Sequence, residues 1–210
     1  MNSLLKFLML ASSLVLIGVG VPQLIAAISM AAGDPIWQDY REGKNVSEEA
    51  FLELEQSRLN AIKYSADNEA REQLAYLYVR DGFSEDGVRR AIDILEEAVA
   101  KDPLDSSDWA LLTKLYLETP DRRPDAIAAW KASRKLAPNK ANLLNDRAAN
   151  AIYLFRFLDD EDRLLAKTDL EVAYRKNRTS FRRHMARTNL LEWAKLILND
   201  PKKTAFLAPD

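Results

Sequence analysis

Cysteine is absent from all 210 residues, and histidine occurs once, at His184. These two gaps exclude disulfides, thiol nucleophiles and thiolate metal sites, and they leave neither a histidine metal cluster nor a spare imidazole for a proton relay. Glycine is scarce at six residues, and proline is limited to eight, mostly between apolar-periodic segments. Such spacing suits short connections between helices. Alternating β-branched runs are nearly missing, so strand signals are weak, while Ala, Leu, Glu, Lys and Arg dominate. Charge of one sign is lacking only in the sum. The net value is −2, yet Arg175–Asp210 carries nine Lys/Arg against three Asp/Glu.

Charge is also absent from one long stretch. Phe7–Gly33 contains no ionisable side chain, and a bilayer core of about 30 Å needs roughly 20 apolar helical residues. This run therefore reads as a retained transmembrane helix. A cleaved signal peptide is the competing reading, with Met1–Lys6 as its n-region and Ala27, Ser29, Ala31 and Ala32 framing a cleavage site. Signal h-regions are typically about 7–15 residues, and the uncharged run is much longer. The positive charge lies at Lys6 and the first charge beyond the run is Asp34. Positive-inside logic then places the N-terminus in the cytoplasm and the rest of the chain across an inner membrane, in the periplasm.

The expected organisation is an anchor over 1–33, a stalk-like linker over 34–46 and an all-α domain over 47–210. Apolar spacing predicts helices near 47–64, 68–81, 85–101, 106–118, 123–136, 140–158, 160–176 and 179–198. The helix at 47–64 reads as a lone opening element and 179–198 as a terminal cap. Ser47, Ser106 and Asp160 are the expected N-caps.

Two segments repeat one pattern. Ala91, Leu95, Ala98 and Pro103 share their offsets with Ala126, Trp130, Ser133 and Pro138, 35 residues on. Small residues permit close helix approach and the large one fills the gap between helix pairs. Upstream lie Leu74, Ala75, Tyr78 and Gly82 in the first segment, and Trp109, Leu112, Thr113 and Tyr116 in the second. This pattern resembles the tetratricopeptide repeat, a helix-turn-helix of about 34 residues. Residues 106–139 match best, 68–105 carry about four extra residues near Phe83–Val88, and a degenerate third unit uses Leu144, Ala148, Ala166, Leu170 and Ala173.

The resemblance implies a solenoid whose first helices line a concave binding face. Carried across, that face comprises Glu69, Glu72, Gln73, Tyr76 and Arg80; then Lys114, Leu117 and Glu118; then Asn142, Asn145, Asp146 and Tyr153. A carboxylate clamp of the kind some family members use needs a basic residue and an asparagine where Glu72 and Tyr76 stand.

A second candidate surface is the basic run Arg175, Lys176, Arg178, Arg182, Arg183 and Arg187, with His184 read as a surface residue within it. Anionic lipid or an acidic partner would suit it, but a capping helix with one solvated face is the simpler account. Nucleic acid is not expected, because no stacking aromatics are interleaved. The acidic run Asp159–Asp162 lacks the alternating ligands and glycine of a calcium loop and suits a helix start. Asn45-Val46-Ser47 and Asn177-Arg178-Thr179 fit the glycosylation tripeptide, which matters only in a eukaryotic secretory route.

The function expected from these features is a membrane-anchored scaffold or accessory subunit that binds other proteins, chiefly subunits of a membrane complex. The alternative is a periplasmic assembly factor or chaperone, which would need an apolar groove. No catalytic residue, metal or cofactor belongs to either reading. An enzyme acting on envelope polysaccharide would need two opposed carboxylates in a cleft, and no pair of acids can be so placed from sequence.

Overall fold

The computed structural model describes residues 3–65, 68–80 and 83–208, and every regular element among them is an α-helix or a 3-10 turn, with no strand. Asp81 and Gly82 lie outside the described residues, and the helix expected at 68–81 ends earlier, at Tyr78. The chain divides into two compact units, Met1–Lys101 and Asp102–Asp210.

Unit 1 holds α1 (Ser3–Arg41), α2 (Glu48–Tyr64), α3 (Asn68–Tyr78) and α4 (Glu85–Lys101). The stalk expected after Gly33 is helical instead: α1 continues unbroken to Arg41, through Pro22 and Pro35. Its true end is built by Gly43 at φ +74°, with Gly43 N–H bonded to the Tyr40 carbonyl and Lys44 N–H to that of Asp39. This paired pattern closes helix C-termini and favours glycine in the left-handed region. Glycine that reads as linker in the sequence is therefore a helix stop. The C-terminal part of α1 lies along α2, so 47–64 is no lone helix but half of a hairpin.

The α1–α2 contact is close because its residues are small. Ala26, Ala61 and Ala70 bury one another, with Met30 and Ile62 alongside. A Cβ on Gly33 would fall 2.3 Å from Ser57 Oγ and 2.8 Å from Arg58 Nη1, so any side chain there displaces the Ser57 hydroxyl and the Arg58 guanidinium. Higher up, Leu54, Leu74 and Leu77 gather Ile36, Trp37 and Phe51. Ser47 caps α2 as expected, accepting from Ala50 N–H at 3.2 Å. In the α3–α4 hairpin the repeat positions Ala91, Leu95 and Ala98 are all fully buried.

Unit 2 holds α5 (Ser106–Leu117), α6 (Arg123–Leu136), α7 (Leu144–Leu154), α8 (Asp160–Lys176), α9 (Arg178–Arg187), α10 (Leu191–Leu198) and α11 (Pro201–Leu207), with a 3-10 turn at Phe155–Phe157. The side-chain caps of α5 and α8 are Asp105 and Asp159, each one residue before the expected Ser106 and Asp160. The elements α5–α6, α7–α8 and α9–α10 form consecutive hairpins. First helices pack in succession as α5, α7 and α9, and α8 packs against α10. The single cap expected at 179–198 is thus two helices. Asn189, at φ +57°, turns the chain between them, and asparagine is among the residues that tolerate that conformation.

The pattern shared between segments is a burial pattern. Ala126, Trp130 and Ser133 are fully enclosed in unit 2, as are Ala148, Ala166, Leu170 and Ala173 of the degenerate segment. Ser133 Oγ donates to the Ser106 carbonyl at 2.9 Å, and Trp130 Nε1 donates to Asp169 Oδ2 at 3.0 Å. Stacked helix pairs of this kind are compatible with a tetratricopeptide-like repeat.

Candidate interaction surface

The face formed by the first helices of unit 2 brings several expected residues together. On α5, Lys114 and Glu118 are exposed and Leu117 is half-buried. On α7, Asp146 is exposed, Asn145 is half-buried, and Tyr153 leaves 49% of its surface open. Asn142 precedes α7 and is exposed. From α9, His184 Nε2 approaches Asp146 Oδ1 at 3.4 Å, and Ser180 Oγ accepts from Asn145 Nδ2 at 3.0 Å. The charges of Lys114 and Arg187 also bear on His184. Cationic and anionic groups from three helices therefore share one polar face.

His184 is not the surface residue expected. Only 12% of its side chain is accessible. Burial holds its imidazole below the ordinary value; Asp146 opposes that shift, while Arg187 and Lys114 reinforce it. The sign for stability follows from linkage: the unfolded chain takes up the proton first, near pH 6.5. Stability is present in full above that value and is lost as pH falls through the lowered folded pKa. Urea unfolding at pH 7.5 and pH 5 should show this loss, and His184→Gln should shrink it. An unchanged pH dependence in the variant would remove His184 from the account.

The groove residues carried across to unit 1 stand differently. Gln73 is only 5% exposed, with its Oε1 accepting from Arg58 Nε at 2.7 Å. Its Nε2 donates to Glu69, which is exposed, and Glu72 is half-buried. Arg80 reaches Glu48 at 2.6 Å and lies over the Phe51 ring, while the Tyr76 ring is 6.5 Å from Trp37. Helices α1 and α2 thus cover Gln73 and part of Arg80 on the face that the repeat pattern assigns to solvent, while Glu69 and Tyr76 stay exposed. Repeat spacing cannot reveal this, because the covering hairpin is partly formed by the apolar N-terminal run.

The basic run divides by role. Arg182 donates to the Ala208 carbonyl at 2.8 Å, and Arg178 stacks over Phe206, so both hold α11 in place. Arg187 turns to the polar face, within 3.4 Å of His184 Nδ1. Arg175, Lys176 and Arg183 are exposed. The acidic run is structural. Asp159 caps α8 through Asp162 N–H, and Asp162, itself buried, pairs with Lys131 at 2.7 Å.

Three buried arginines, Arg58, Arg71 and Arg147, carry little signal in the sequence. Arg147 donates to the carbonyls of Ser133, Ala137 and Pro138, satisfying the end of α6. Arg58 joins α1, α2 and α3 through Met30, Asp34, Ser57 and Gln73. Their only sequence signal is an arginine standing at an apolar helical register. No protein-family model matches this chain, and no curated protein matches it.

Proposed function

We propose that this chain is a single-pass membrane-anchored adaptor, with a tetratricopeptide-like array that holds partner proteins of a membrane complex at the periplasmic face. The observation that carries the reading is the continuity of α1. One helix of 39 residues begins in apolar sequence and ends packed in the first hairpin. It is long and apolar enough to cross a bilayer. Exposed Met9, Ile17, Val19, Val21 and Leu24 suit lipid contact. The polar face of α5, α7 and α9 supplies the binding surface, and its mixed charge suits a folded or polar partner segment. A groove for unfolded apolar clients would be lined differently, so the chaperone reading ranks second. No catalytic step is part of the proposal.

The reading is tested in two arms. A fluorescent reporter that matures only in the cytoplasm, fused after Asp210, should remain dark while the protein stays in carbonate-washed membranes. A photoreactive phenylalanine at Tyr153 should give discrete protein adducts in those membranes, and one at Glu53 should not. Bright fluorescence overturns the orientation; identical adduct patterns at both sites overturn the binding face.

A further inference from the structure

We propose that unit 1 sits directly on the bilayer, with Lys63 and Tyr64 at the end of α2 seated among the lipid headgroups. This rests on the anchor reading above and specifies where the membrane boundary falls. Helices α1 and α2 run antiparallel, and their contacts can be followed level by level. Tyr40 meets Phe51 at 5.5 Å between ring centroids, and Asp34 meets Arg58 at 2.8 Å. Ala26 then meets Ala61 beside Ile62. Beyond that level, α2 ends at Tyr64.

Ala26 is 2% exposed, whereas Leu24 and Ile25 beside it are open at 60% and 37%. On the face that Ala26 turns to α2, Pro22 one turn before it is only half-buried and Gly18 and Val19 are open, so protein packing along α1 fades between Ala26 and Pro22. The charge-free sequence that remains, Phe7–Ile25, is about 28 Å long as a helix at roughly 1.5 Å per residue. That length matches one hydrocarbon core of about 30 Å. The span fits only if the membrane surface begins where the packed hairpin ends. Gln23, exposed, then lies at the boundary rather than at mid-depth.

The residues at this end suit that depth. Tyr64 is 39% exposed, and Lys63 Nζ lies 5.4 Å from its ring centroid. Tyrosine and lysine are both favoured at the membrane–water interface, where an apolar body meets a polar tip. The seat is also held in place, because no flexible tether intervenes. Gly33 lets α1 and α2 touch, and Arg58 binds the Met30 carbonyl at 2.8 Å as well as Asp34.

The cysteine-free chain makes the test direct. Full-length Val19→Cys, Tyr64→Cys and Glu53→Cys are each labelled with one fluorophore and reconstituted in vesicles of phosphatidylcholine with a minority of phosphatidylglycerol. Nitroxide lipids carry the quencher either on the headgroup or midway down the acyl chain, and circular dichroism checks that each variant keeps its helicity. Position 64 is expected to be quenched severalfold more by headgroup nitroxide than position 53, and position 19 mainly by acyl-chain nitroxide. If 64 and 53 are equally unquenched while 19 is quenched, the anchor stands and the seating is wrong. If 19 and 64 both escape quenching, the anchor reading itself falls.

Discussion

Trp130→Ala should lower the stability of the helical array by about 3–5 kcal/mol, the range for emptying a fully buried aromatic site. Trp130 is completely enclosed in unit 2, and its indole N–H also donates to Asp169. Asp169 is shared with Arg134 at 3.0 Å, and burial raises its pKa despite the opposing pull of Arg147 and Arg134. The alanine therefore leaves a cavity and removes one of the bonds that support a buried carboxylate. Trp130→Phe should cost less, since it keeps most of the volume and loses mainly the bond. Urea unfolding of the detergent-solubilised chain, followed by circular dichroism, measures both. An alanine variant within about 0.5 kcal/mol of wild type, the usual range for surface changes, would contradict the packing described.

Arg58→Ala should be comparably damaging, at about 3–5 kcal/mol, because it strands a buried acceptor and opens a cavity at the same time. The guanidinium is fully enclosed and makes bonds to Gln73, Met30, Ser57 and Asp34. Much of the cost comes from the Gln73 oxygen, buried and left without this donor; Asp34 is largely exposed and can turn to water. Arg58→Lys keeps the charge but not the planar fork, so it should recover only part of the loss. Hydrogen exchange gives a local readout. Amides over residues 34–41 should lose protection in the alanine variant before those of unit 2 do. Unchanged protection there would mean that the end of α1 holds without its arginine.

The repeat register was legible in the sequence because burial enforces it. Ala126, Trp130 and Ser133 keep fixed offsets since helix pairs can stack closely only with small residues at the crossing points. Helix ends were legible to within a residue or two where a cap supplies a local signal, as at Ser47. The segment after Gly33 is helical where its sequence suggests a stalk, for a physical reason. Gly33, Pro35 and Gly43 look like linker chemistry, yet each serves a helix: one as a contact point, one as a tolerated interior proline, one as a stop. Tertiary contacts from Trp37 and Tyr40 outweigh the weak local propensity. The covering of Gln73 and Arg80 was illegible because it depends on which hairpin precedes α3. The break at Asn189 is hidden because buried apolar residues continue on both sides of it, Phe181 and Met185 before and Leu190, Ala194 and Ile197 after.

The order in which elements pack has a kinetic consequence. Elements in extensive contact are neighbours or next-neighbours along the chain, and a wide side-chain bond such as Asn150 to Ala110 closes only 40 residues. Closing short loops costs little entropy, and a low mean sequence separation of contacts goes with rapid folding. A chain emerging from a ribosome or a translocation pore can therefore pair α1 with α2 while α5 is still being made or threaded. Within each unit, a later hairpin then finds its partner surface already formed, so apolar faces are exposed only briefly before the next pair arrives.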